Sequence, residues 1–131
     1  MAHYKALEAM LPAGVRVYLF DVPDVPTYPY VVLWGDPGLE GSESLDSTPV
    51  DLALSPRVTC VGATYESCLI VLRKAREAFN RQTPVVAGRK VHELVQAPLK
   101  EIAPDREVTI PGSNRPPIYA VDELTLLSEP A

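Results

Sequence analysis

The side chains able to do chemistry in this chain of 131 residues are few, and their spacing does not bring them together. Catalysis needs a nucleophile, a base and an orienting group, or a set of metal ligands, at recognisable intervals. The chain offers two histidines, His3 and His92, and two cysteines, Cys60 and Cys68. His3 falls in a short helical pattern and His92 beside Glu93 in a strand-like run, with no HExxH, CxxC or other ligand pair. Asp36, Glu40, Glu43 and Asp46 depart from the D-x-D-x-D-G-x5-E order of a calcium loop, so they read as a solvated or partner-binding segment. The glycines of "GDPGLEG" fit neither GxxxxGKS nor GxGxxG, which argues against a phosphate cradle. The expectation is a protein that is not an enzyme, with no catalytic, cofactor-binding or metal site.

Composition narrows the classes further. The formal charge of -5 argues against affinity for nucleic acid driven by phosphate neutralisation, which needs clustered Lys and Arg. Two cysteines, one in a strand-like run and one on a helical pattern, read as buried thiols of a reducing compartment rather than a disulfide framework. The N-terminal "MAHYKALEAMLPAG" has no apolar signal region, and no window reaches the length of a membrane span, so the protein is expected to be made in the cytoplasm and to have no membrane partner. Fourteen prolines cut the chain into short extended pieces, because each fixes φ and lacks an N–H.

The elements that must carry any site follow from periodicity. Tyr4, Leu7, Met10 and Leu11 form one face of a short N-terminal helix that Pro12 and Gly14 end. "VRVYLFD" alternates Val15, Val17 and Leu19 against Arg16, Tyr18 and Phe20, and "YPYVVLWGD" is apolar on both faces, as in a mid-sheet strand. "DLALSPRVTCVGA" resumes as a strand in which Pro56 predicts an edge or a bulge, and pairing across the intervening gap is the simplest topology. Thr64 caps the main helix, which runs Cys68, Leu72, Ala75 and Phe79 along one face. Strands follow, with "AGRK" expected as a hairpin turn and the Pro-rich loop 111–117 as exposed and irregular. The last strand, in "PIYAVDELTLL", sets Ile118, Ala120, Leu124 and Leu126 against Tyr119, Val121 and Leu127. The fold class is α+β: residues 1–131 form a single domain with a mixed or antiparallel sheet against one main helix plus the N-terminal helix, with long loops.

One polar excursion, 36–51, is far longer than the roughly 4 to 6 residues usual for a connection. It is expected to act as a docking arm. The main helix carries Arg73, Lys74 and Arg76, followed by Arg81, and these cations could meet Glu40, Glu43 and Asp46 on a neighbouring copy. Arg115, in the second loop, is a further candidate interface residue.

The succession "YPYVVLWGD", "SESLD", "RVTCVGATYESCLIVLRKAREAF", "VVAGRKV" and "DREVTIPGSNRPPIYAVDELTL" resembles the tail terminator proteins of long-tailed actinobacteriophages over residues 15–127. The resemblance implies a structural subunit that forms a homohexameric ring on the head-proximal end of the tail tube, stops tube polymerisation and joins the tail to the head-tail connector or stopper protein. Its place would be the virion, its partners the tail tube and neck proteins, and genomic DNA would pass its lumen without specific binding. Other head-completion or stopper components share this profile. A small-molecule binding module or an enzyme with an intersubunit site would instead show a deep pocket with convergent polar groups.

Overall fold

The computed structural model describes residues 2–35 and 51–131. The expected docking arm at 36–51, with Glu40, Glu43 and Asp46, lies outside the described residues except for Asp51. The described elements run α1 (Ala2–Met10), β1 (Arg16–Leu19), β2 (Tyr30–Trp34), β3 (Leu52–Leu54), β4 (Arg57–Gly62), α2 (Tyr65–Phe79), β5 (Arg89–Val91), β6 (Val95–Pro104) and β7 (Ile118–Pro130). The seven strands form one mixed sheet, in which β1 runs parallel to β2 and every other pairing is antiparallel. The architecture is α+β, with both helices contributing to a core on one sheet face.

β7 is the spine. Its 13 residues pair with β3 and β4 along one side and with β5 and β6 along the other. Leu52 faces Ser128, Leu54 faces Leu126, Arg57 faces Glu123 and Gly62 faces Ile118, so β3 and β4 hold one register across Pro56. Pro56 therefore introduces no bulge. Leu124 N–H still donates to Pro56 O at 2.8 Å, and only the return bond that a proline nitrogen cannot make is missing. β4 also pairs with β2, from Tyr30 opposite Val61 to Trp34 opposite Arg57, which closes the gap in the manner the sequence suggests.

Period-two alternation then decides what each face carries. Val17 and Leu19, Val31 and Leu33, Val58 and Cys60, and Ala120, Leu124 and Leu126 point to the helix side, where Tyr4, Leu7, Val71, Leu72, Ala75 and Phe79 meet them. Helix α2 starts at a capping box, with Ser67 N–H donating to Thr64 Oγ1 and Thr64 N–H to Ser67 Oγ, each at 3.1 Å. It ends where Arg81 takes a left-handed φ of 60 and donates its N–H to Leu94 O at 2.8 Å. A Cβ at Gly62 would lie 2.5 Å from Cys68 N, so the lack of a side chain there lets the first turn of α2 sit directly on β4.

Two local expectations are corrected. "AGRK" does form a turn, closed by Arg89 N–H to Val86 O at 3.1 Å with Gly88 at φ 74. It is no hairpin, because β5 leaves it to pair with β7 and no strand precedes it. Conversely, the loop 111–117 contains order: an isolated antiparallel bridge joins Ile110 and Arg115, and left-handed Gly112 and Asn114 allow the tight reversal between them.

The core face also holds a charge. Asp122, in the middle of β7, is fully buried and takes two bonds from Arg76 of α2, from Nε at 2.8 Å and from Nη2 at 2.9 Å. Gln96 of β6 donates a third at 2.7 Å. Truncating one member of such a pair strands the other, whereas replacing both by apolar groups removes the problem. Arg76→Ala should therefore lower unfolding free energy by about 3 kcal/mol, and the double change Arg76→Met with Asp122→Leu by much less. Urea denaturation reads both. Gly62→Ala should cost about 1–3 kcal/mol by the same assay, since the first turn of α2 must shift to admit the methyl group.

Candidate functional site

The face of the sheet turned away from the helices carries a set of partly exposed aromatic side chains. Arg16, Tyr18, Tyr30, Val32, Trp34, Thr59, Val61 and Tyr119 occupy positions of the opposite parity to the core residues. Tyr30, Val32 and Val61 pack there with half-exposed Tyr18, Tyr28, Trp34 and Tyr119. The rings touch: Tyr18 and Tyr30 meet edge to face with centroids 5.4 Å apart, and Tyr28 and Tyr30 are tilted at the same separation. No helix among the described residues covers this cluster. A groove of about 310 Å³ runs across it between the strands and the β6–β7 connection, where Asp105, Val108 and Pro117 form the far wall.

The polar groups of this face are specific. Trp34 Nε1–H donates to Thr59 Oγ1 at 2.8 Å, and the Arg57 guanidinium lies 5.0 Å from the Trp34 ring centroid while pairing with Glu123 at 3.6 Å. Burial pushes the Tyr30 phenol up to about 12, with the neighbouring tyrosines and Asp105 adding to the shift, and burial with Asp105 raises Tyr28 as well. Local sequence pattern does not reveal this cluster. Its signal was the alternation of aromatic residues with Val and Leu in the first two strands, which becomes a patch only once β1 lies parallel to β2 with Tyr18 beside Val32.

The charged candidates are distributed rather than gathered. Arg73 and Lys74 are exposed and make no ion pair with a described residue. Being adjacent in a helix, they point to different sides. Lys74 stands with Ile70 over a groove along the outer edge of β1 that Arg16 also lines. Arg73 stands with Leu69, Arg76 and Glu77 on the other flank. Arg76 is engaged with Asp122, and that hydrogen bond, above all, raises its pKa. Arg115 is exposed at the base of its turn.

His3 is buried, with Nε2 2.9 Å from Ser128 Oγ, which also accepts Arg89 Nε–H at 2.8 Å; this set ties α1, β5 and β7 together. His92 lies 3.7 Å from Glu129 on the surface. Among the described residues no group of three or more His, Cys, Asp or Glu could hold a metal ion. Cys60 and Cys68 are free and buried, with the Cys68 thiol donating to Cys60 O at 3.5 Å.

No protein-family model matches the chain, and no curated protein matches it. Among solved structures it superposes on a chain of the virion of a native gene transfer agent particle, with a TM-score of 0.53 and 15% sequence identity over 95% of this chain and 90% of that one. At that identity the likeness is one of fold.

Burial pushes the Cys68 thiol up from 9.0 to about 11 and raises Cys60 further in the same direction. The folded protein thus keeps protons that the unfolded chain has released. The linked stability is whole below pH 9 and is lost as pH rises toward 11. Stability should fall across that window, and less steeply in Cys68→Ala. In native protein at pH 8 both thiols should resist alkylation, reacting only on unfolding.

Proposed function

We propose that this chain is a structural subunit of a phage-type virion, forming a ring at the head-proximal end of the tail tube, where it ends polymerisation and joins the tail to the neck. One observation supports the virion part of the reading: nearly the whole chain shares its fold with a component of a virion particle; the ring and its place on the tail rest on the resemblance of the sequence. The reading assigns no reaction to the protein. Its work is assembly, and the features on which it would rest are edges and faces.

A closed ring needs heterologous contacts, in which one patch meets a different patch on the next copy. The sheet supplies unlike margins. Along β1 lies a cationic groove with Arg16 and Lys74, whereas the opposite margin, β5 and β6, exposes Val95 and Leu99. Pro98 and two register irregularities in β6 blunt that margin against uncontrolled strand pairing. Arg73 and Lys74 would guide an acidic segment of the next copy, with Glu40, Glu43 and Asp46 as its carboxylates, and Arg115 would contribute from its turn. An overall charge of -5 suits a conduit wall that lets DNA slide past. The same shared fold also suits a neighbouring head-completion or stopper component, and the partner retained decides between them.

Native mass spectrometry and particle images, with and without tail tube protein, test the reading. Rings that cap tube ends are expected. Reversing Arg73 and Lys74 together to Glu should weaken ring formation at low salt. A protein that stays monomeric with tube protein present would remove the terminator assignment, and capture by the connector alone would favour the stopper reading.

A further inference from the structure

The groove on the aromatic face has a charge that no described cation answers. Asp105 lies at the end of β6, its backbone held by the bond from its N–H to Pro117 O at 2.8 Å. Among the described residues its carboxylate accepts a single hydrogen bond, from Glu107 N–H at 3.3 Å, and makes no ion pair. Tyr28, Tyr30 and Tyr119 line the groove with it, so a lone anion faces a set of aromatic rings. Ring faces carry partial negative charge and attract cations. The other end of the same face shows that attraction satisfied, with the Arg57 guanidinium over Trp34 and its charge answered by Glu123. At the Asp105 end the anion and the rings are present, and among the described residues that line the groove there is no cation.

We propose that this groove binds a cationic side chain, an arginine or lysine carried on an extended segment of a neighbouring protein, with Asp105 as counter-charge and Tyr28, Tyr30 and Tyr119 as walls. A volume of about 310 Å³ suits one long side chain and its flanking backbone rather than a helix or a folded loop. Charge complementarity selects this occupant over the chain's own polar segment: residues 36–50 hold four carboxylates and no Lys or Arg, which would set like charge against Asp105. Proline beside the cation would suit the aromatic walls, because an extended proline segment loses little freedom on docking.

Trp34 is the only tryptophan in the chain and lines the groove, so its fluorescence reports occupancy. The probes are two hexapeptides, Arg-Pro repeated three times and Glu-Pro repeated three times, titrated into the full chain at low and moderate salt. A saturable change is expected with the arginine peptide alone. Asp105→Asn and Tyr28→Leu should each weaken it by about fivefold, as loss of a partly exposed charge pair or a ring wall would. Both positions are only partly buried, and unchanged urea midpoints would show that the variants fold. Equal response to both peptides, no response to either, or binding unaffected by Asp105→Asn would overturn the proposal. Self-association that depends on Asp105, with no response to the arginine peptide, would make a second copy the occupant and overturn the assignment to another protein.

Discussion

A carboxylate with no access to water has to find its charge and hydrogen bonds inside the protein, and Asp122 in the centre of β7 is such a group. Desolvating it costs several kcal/mol unless a cation with matching geometry is held against it. Arg76 supplies that cation in bidentate form and Gln96 adds a further donor. The consequence is geometric more than energetic. Arg76 over Asp122 ties helix α2 to the centre of the sheet, and Gln96 ties β6 to the same carboxylate.

From that fixed placement the inequality of the two sheet faces follows. Both helices lie on the side where Asp122 points, and the aliphatic residues of β2, β4 and β7 on that side are consumed by the core. The other side receives the aromatic residues of β1 and β2, which shield one another but have no layer above them. Tyr and Trp suit such a position, because each combines a large apolar body with a polar tip that tolerates partial hydration. They are also the residue types that carry most of the energy at protein interfaces.

The elements legible in the sequence were those set by local pattern. The stripe Cys68, Leu72, Ala75 and Phe79, the cap at Thr64 and the alternation of the last strand each express a rule that spans a few residues, and all appear where expected. The α+β class followed from their order. What stayed hidden depends on contacts between distant positions. Arg76 looked like part of a wet helix face because its partner stands 46 residues away, although its spacing from Leu72 and Phe79 sets it at the border of the core stripe. "AGRK" looked like a hairpin because a turn between two apolar runs usually is one, yet β5 found β7 instead. Pro56 suggested a bulge, but a strand can lose one ladder bond without losing its register. The aromatic face was the largest omission, since residues from four separate strands come together only through the pairing of the whole sheet.

This difference bears on how the surfaces would divide the work of assembly under the proposed function. Solvent-exposed charges such as Arg73, Lys74 and Arg115 are each worth about 0 to 1 kcal/mol in a contact, and salt weakens them. They can steer an encounter and set its register, but they cannot hold a ring or a joint together. Half-buried aromatic rings lose water on contact and gain packing, which supplies affinity without requiring a charge to be stripped of its hydration. On the helix side most apolar residues are committed to the core, and the exposed flanks of α2 offer only the separate side chains Tyr65, Leu69 and Ile70 beside their charges. On the open side of the sheet both terms coexist, because the rings surround a carboxylate that already stands in the groove. Under the proposed binding, docking there would join affinity and selection in one contact, with the rings favouring an extended apolar segment and Asp105 favouring one that brings a positive charge.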